Sequence, residues 1–245
     1  MSEAFTLIPG DDGSGLLIVA DHASAHVPVG IDLGIPLALL GEHVAIDIGV
    51  AGLAAALTEQ LGCPAILGGV SRLVIDLNRE EDSPGLIPAA SDGHPIPGNA
   101  AIDRSERDAR IDCFWRPYHA RISALMQAAP PRLLISLHSF TPRLASQPDE
   151  ARPWQIGILY NRDERAARIA IPLLQAADVV TGDNLPYSGK LLNATMNLHG
   201  EANGTAYLGI EVRQDLIGTP AGIAEWADRL APIIGTTADA IAARA

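Results

Sequence analysis

Two histidines in this chain of 245 residues sit where a short apolar run gives way to polar chemistry. Gly15-Leu16-Leu17-Ile18-Val19-Ala20 runs directly into Asp21-His22-Ala23-Ser24, and Pro131-Arg132-Leu133-Leu134-Ile135-Ser136-Leu137 runs into His138-Ser139. A third apolar run, Ala206-Tyr207-Leu208-Gly209-Ile210, delivers Glu211 in the same way. Open α/β sheets gather their ligands in the crevice beyond the carboxyl ends of the strands, so three residues delivered there point to one site. Two imidazoles and a carboxylate are the ligand and base set of a catalytic zinc centre. His22 and His138 are therefore expected to ligate Zn2+, and Glu211 to handle protons.

The third ligand must be another nitrogen or oxygen donor. Asp47 is the best candidate: Val44, Ala45, Ile46 and Ile48 surround it, and a carboxylate buried in such company is costly unless it is coordinated or paired. His26 and Asp21 compete with it. Further along, Ser71-Arg72-Leu73-Val74-Ile75-Asp76-Leu77-Asn78-Arg79 reads as a strand whose alternation places Arg72, Val74, Asp76 and Asn78 on one face. Arg72 and Arg79 could then grip a substrate carboxylate through their fork geometry. The plainer alternative is an internal pair of Arg72 with Asp76 and a solvated Arg79. His199, with Tyr187-Ser188 upstream, lies in a polar loop and reads either as a lid or substrate contact or as an exposed loop histidine.

These residues need a scaffold that brings distant segments together. Apolar residues at helical spacing run over about 42–61, with Gly62 as the stop. Pro64 to Leu67 and Arg72 to Asp76 read as neighbouring strands separated by Gly68-Gly69. Proline and glycine crowd residues 80–102, which predicts a long loop without regular structure, of the kind that is functional or disordered. A helix of about two dozen residues opens at Asp103, is kinked by Pro117 and ends at Pro130-Pro131. After the His138 strand come a strand over 155–160, a helix over 162–176, a short strand from Asp178 to Thr181 and a second polar loop over 182–205. The last helix spans 219–244, with Thr219 as N-cap and Pro220 in its first turn. Strands alternating with helices predict one α/β domain over 1–245, its mixed, mostly parallel sheet covered on both faces.

Hydrophobic residues make up 48% of the chain and charged residues 19%, a globular balance. A net charge of −12 repels polyphosphate backbones, so no nucleic-acid partner is expected. Neither a signal-like N-terminus nor an apolar run of membrane-spanning length is present, so no membrane partner is expected and a soluble, cytoplasmic chain is. Cys63 and Cys113 match no metal or redox spacing and read as two buried thiols. Composition leaves the oligomeric state open, a homo-oligomer included.

Six blocks carry a resemblance: Asp21-His-Ala-Ser, Ile46-Asp-Ile-Gly, Ser71 to Arg79, Ser136-Leu-His-Ser-Phe-Thr-Pro, Pro186-Tyr-Ser-Gly and Ile210-Glu-Val-Arg-Gln-Asp. In order and spacing they resemble the N-formylglutamate amidohydrolase family over nearly the whole chain. That family is in turn similar to zinc carboxypeptidases and aspartoacylases, which implies a three-layer α/β/α sandwich of the zinc-peptidase kind. Ser-Leu-His138-Ser-Phe is similar to the carboxypeptidase segment bearing the last histidine ligand, and Ile-Glu211-Val-Arg213 to the segment bearing the catalytic glutamate. Asn78-Arg79 is similar to the pair that holds the substrate's carboxylate, and Arg72 falls where aspartoacylases place a substrate-binding arginine. The resemblance thus implies substrate contacts from Arg72, Asn78, Arg79, Arg213, Tyr187 and Ser188. The larger group's His-x-x-Glu ligand pair is absent, because His22-Ala23-Ser24 is followed by Ala25; Asp47 is the inferred substitute. The expected reaction is zinc-dependent hydrolysis of a small acidic N-acyl amino acid, N-formylglutamate to formate and glutamate. A zinc exopeptidase or cell-wall peptide amidase on an open groove, and a non-catalytic binder of acidic molecules, are the rival readings.

Overall fold

The structure, a computed structural model, describes residues 4–244. The chain opens with β1 (Phe5–Ile8) and β2 (Leu16–Ala20), then runs through irregular turns to α1 (Val50–Leu61) and β3 (Ala65–Gly68). A small hairpin, β4 (Ala90–Ser91) and β5 (His94–Pro95), precedes the single turn α2 (Pro97–Ala100), α3 (Arg104–Arg110) and α4 (Arg116–Ala128). There follow β6 (Leu133–Phe140), β7 (Ile156–Leu159), α5 (Ala167–Ala176), β8 (Thr181–Asp183), α6 (Ala194–His199), β9 (Tyr207–Arg213) and α7 (Pro220–Ala242).

Seven strands form one sheet in the order β1-β3-β2-β6-β9-β7-β8. The inner pairings β3/β2, β2/β6 and β6/β9 are parallel, whereas β1 runs antiparallel to β3 and β7 to β9. Every residue of β2 and of β6 is buried, as central strands covered on both faces must be. On one side α7 packs against α1 and α5; α4 and α6 meet in the other layer. The architecture is the α/β/α sandwich with a mixed, mostly parallel sheet. No helix among the described residues is long and apolar enough to cross a membrane.

Several boundaries differ from expectation, for identifiable reasons. The helix after the first strand begins at Val50, not near residue 42, because Gly49 takes φ 83° and its missing Cβ makes room for the Ile217 carbonyl. Residues 42–49 are left as turns that present Asp47. The segment Arg72 to Asp76 is no strand: β1, unforeseen, occupies that edge of β3, and the chain turns at Ser71, whose carbonyl accepts the Val74 N–H. Its hydroxyl donates to the Ala45 carbonyl and accepts the Leu73 N–H. Pro117 produces no simple kink; a wide π turn over Ile111–Trp115 absorbs its missing N–H. β8 starts at Thr181, after Asp178 has taken the left-handed region at φ 58°. Thr219 caps α7 by accepting the Gly222 N–H, as the sequence predicts. Cys63 is buried, but Cys113 is exposed on the π turn.

Candidate metal and catalytic site

Beyond the carboxyl end of β2, His22 sits in the first turn, and its carbonyl accepts the Asp47 N–H at 3.0 Å. That bond ties the turn to the segment ahead of α1. His138 lies inside β6, the strand paired with β2, so the pairing carries the two imidazoles to neighbouring positions. Their ring centroids are 5.0 Å apart. Asp47 Oδ2 faces both: it lies 2.9 Å from His138 Nδ1 and 3.4 Å from His22 Nδ1. The donor atoms of His22, Asp47 and His138 all fall within 4.8 Å of one another, and all three residues are buried.

The opposite nitrogens have different neighbours. His22 Nε2 is 2.7 Å from Asp76 Oδ1, and His138 Nε2 is 3.3 Å from Asp21 Oδ2. Asp21 in turn accepts the Tyr118 hydroxyl at 2.8 Å. Each imidazole therefore has a carboxylate behind it and Nδ1 turned to the shared point, the arrangement that fixes the tautomer of a metal-ligating histidine. Asp21, a rival third ligand from sequence, stands on the far side of His138. His26, the other rival, is exposed, and its bonds are made by its backbone: its carbonyl accepts the Ser71 N–H and its N–H donates to Ser24 Oγ.

His22 Nδ1 is buried without a hydrogen-bond partner among the described residues. Burial alone raises the carboxyl pKa of Asp47, but His22 and His138 outweigh it and hold the group far below the usual carboxylate range. Asp76 behaves alike under Arg72 and His22. Reciprocally, burial and Arg72 lower His22, while Asp76 and Asp47 lift it past its ordinary value. A cluster that draws positive charge so strongly, with an unsatisfied imidazole nitrogen and oxygen donors converging on one point, fits a divalent cation in chemistry and in shape.

Glu211 is the register partner of His138 across the parallel pair β6/β9, so both side chains leave the sheet on the same face. Two residues earlier on the same strands, Ser136 pairs with Gly209, and both line the cavity. Burial, with Asp47 adding to it and His138 opposing it, raises the Glu211 carboxyl to about 7. Its Oε2 has no hydrogen-bond partner among the described residues. Sequence places His138 and Glu211 at strand ends; the strands in fact continue to Phe140 and Arg213.

The cavity holds about 320 Å³, the scale of one small molecule. Arg72, Asn78 and Arg79 line it, but by turn geometry rather than strand alternation. Arg72 Nη2 donates to Asp76 Oδ2 at 2.9 Å and Nη1 to Asp47 Oδ1 at 3.4 Å, so its charge is already opposed by two carboxylates. Arg79 is less committed, its nearest acidic contact being Asp76 at 3.8 Å. Asn78 fixes its side-chain oxygen on the Thr195 N–H at 3.0 Å. Tyr187 also lines the cavity; Ser188 does not, and serves its own turn by accepting the Lys190 N–H. Arg213 lies outside as well, paired with Asp215 and bonded to the Pro153 and Trp154 carbonyls. His199 is buried, not a lid contact: its Nε2 donates to His119 Nδ1 at 2.9 Å, and His119 Nε2 donates to the Leu77 carbonyl at 3.0 Å.

Sequence reasoning passed over the mouth. Asp92-Gly93, both at positive φ, forms the two-residue turn of the β4/β5 hairpin, the Asp-Gly signal of a tight hairpin. Asp92 accepts from His43 Nε2 at 2.9 Å, the Ala145 N–H at 2.8 Å, the Ser146 N–H at 2.9 Å and the Ser146 hydroxyl. Three loops are thereby clasped over the cavity.

The profile of the N-formylglutamate amidohydrolases matches residues 14–218, most of the chain. The chain belongs to that family. Membership makes it a hydrolase of amide bonds. A gene product of Agrobacterium tumefaciens of known structure is 31% identical, with a TM-score of 0.89 over 98% of this chain and 96% of that one. An N-formylglutamate amidohydrolase from Ralstonia eutropha superposes with a TM-score of 0.73 over 100% of both chains at 21% identity, a likeness of fold. No curated protein sequence matches significantly.

Proposed function

We propose that the chain is a zinc-dependent amidohydrolase that cleaves N-formylglutamate to formate and glutamate. The observation that carries this reading is the convergence of His22 Nδ1 and His138 Nδ1 on Asp47, with Glu211 buried beside them. Zinc, when bound by His22, Asp47 and His138, supplies Lewis acidity that makes water nucleophilic near neutral pH. Glu211, its carboxyl raised to about 7, is placed to take the proton of the attacking water. Attack at the formyl carbon and cleavage of the C–N bond follow, and Glu211 returns the proton to the leaving nitrogen. Arg72, beside Asp47, opposes the charge that grows on the carbonyl oxygen. Arg79 and the free amide of Asn78 hold the carboxylate next to the scissile bond.

The clasped mouth supports a small substrate over a long peptide, which needs an open groove. Stripping the metal with a chelator should abolish N-formylglutamate hydrolysis, and stoichiometric Zn2+ should restore it. Full turnover in protein shown by elemental analysis to be metal-free would overturn the reading.

A further inference from the structure

Arg152 is the most anomalous cation of the fold. It is only 6% exposed, yet its contacts are the Thr141 carbonyl at 3.4 Å, the Tyr187 hydroxyl at 3.0 Å and the face of the Tyr187 ring, 4.9 Å from its centroid. No carboxylate pairs with it among the described residues. The other buried arginine, Arg110, 2% exposed, has Glu106 at 2.5 Å. A buried permanent charge without a counter-charge is costly, and a stacked ring offsets only part of that cost.

The bond to Tyr187 has a direction. A guanidinium has donors only, so the phenol oxygen must accept, and its one proton is left to point elsewhere. No acceptor for that proton exists among the described residues, and Tyr187 lines the cavity with Glu211 and Arg72. Tyr187 and Arg79 come from opposite margins of the sheet: Arg79 follows β3 and Tyr187 follows β8, with the strands of His138 and Glu211 between them. The cavity thus offers an arginine fork from one part of the chain and, from a segment beyond the far strands of the sheet, a hydroxyl backed by an unpaired positive charge.

We infer that Tyr187 donates a hydrogen bond to the distal carboxylate of a dicarboxylic substrate, with Arg152 as the positioning residue that aims the hydroxyl and supplies the counter-charge. A permanent anion answers a permanent unpaired cation. This inference rests on the cavity being the N-formylglutamate site, and it makes the Arg152–Tyr187 pair the element that separates glutamate from glutamine.

The test compares N-formylglutamate with N-formylglutamine, of equal shape but neutral at the distal end, on the zinc-loaded enzyme. Tyr187→Phe should lower the glutamate-over-glutamine ratio of kcat/KM about 10-fold or more, the worth of one charge-assisted hydrogen bond. The loss on the glutamine substrate, whose amide oxygen accepts only a neutral hydrogen bond, should be the smaller of the two. Arg152→Met should lower the ratio similarly, Arg152→Lys should recover part of it, and the Arg152→Met, Tyr187→Phe double variant should be no worse than the poorer single one. An unchanged ratio in folded Tyr187→Phe, or equal loss on both substrates, would overturn the inference; that variant keeps the ring on which Arg152 stacks. Calorimetric binding of free glutamate and glutamine to the same proteins gives a second readout. If the wild type hydrolyses neither substrate, the proposed reaction fails by itself, while selective loss of glutamate binding still decides the role of the pair.

Discussion

Asp76 stands directly behind His22, its Oδ1 2.7 Å from the imidazole Nε2. The carboxylate holds the proton on Nε2 and leaves Nδ1 free to face Asp47. Asp76→Asn keeps the volume and removes the acceptor charge. It is expected to weaken Zn2+ about 10- to 100-fold, the usual consequence of losing such a backing group, measured by competition with a chromophoric chelator. Wild-type affinity in that variant would mean that the contact orients Arg72 and not the imidazole.

Glu211→Gln preserves shape and abolishes the base. The variant is expected to bind zinc in full stoichiometry and to lose roughly 10²-fold or more in kcat, the scale of general acid–base catalysis. Near-normal turnover would remove Glu211 from proton transfer. Loss of zinc would instead show that it helps hold the metal.

The buried His119–His199 pair ties stability to pH. The Leu77 carbonyl commits His119 Nε2 to donate and His119 Nδ1 to accept from His199, so a third ring proton on the pair finds no acceptor between the rings. Burial, with His119 adding to it, lowers His199 to about 4, whereas an unfolded histidine titrates near 6.5. Between those values the unfolded chain binds the additional proton, so stability rises with pH through this window, is complete above about 6.5 and is lost as pH falls toward 4. The loss amounts to about 3 kcal/mol at most, at 1.36 kcal/mol per pH unit. Urea denaturation across this range should show the slope in the wild type and a flatter one in His199→Asn; identical slopes would assign the effect to other groups.

Asp92 joins three loops at the mouth through His43, Ala145 and Ser146. Asp92→Ala should leave the buried machinery in place, raise KM several-fold and expose the loop over 141–150 to protease. Because these bonds are near the surface, thermal stability should fall by only about 1 kcal/mol. A proteolysis pattern identical to that of the wild type would show that the loops hold together without the clasp.

The part of the site legible in the sequence is the part written in local pattern. His22, His138 and Glu211 are visible because a buried parallel strand is an apolar run, and the residue that breaks it is presented at the crevice. Asp47 is legible for a related reason, a lone carboxylate among aliphatic neighbours. Thr219, Gly62 and the prolines around the fourth helix announce helix limits through backbone chemistry alone. Asp92-Gly93 was equally local, a hairpin turn whose signal was overshadowed by the surrounding prolines and glycines.

What only the tertiary structure decided are the pairings across long separations. Asp21 and Asp76 stand behind the imidazoles because packing sets them there; nothing in their neighbours encodes that direction. The Arg72–Asp76 pair is the plainer alternative that the sequence offers, but the two meet through a turn and not along a strand face, because β1 takes the edge of β3. Arg152 reaches Tyr187 across 35 residues, and His199 reaches His119 across 80. Alternation and periodicity report which face a residue occupies relative to its own element. Which atoms then meet is set by how separate elements pack, and that is a property of the whole fold.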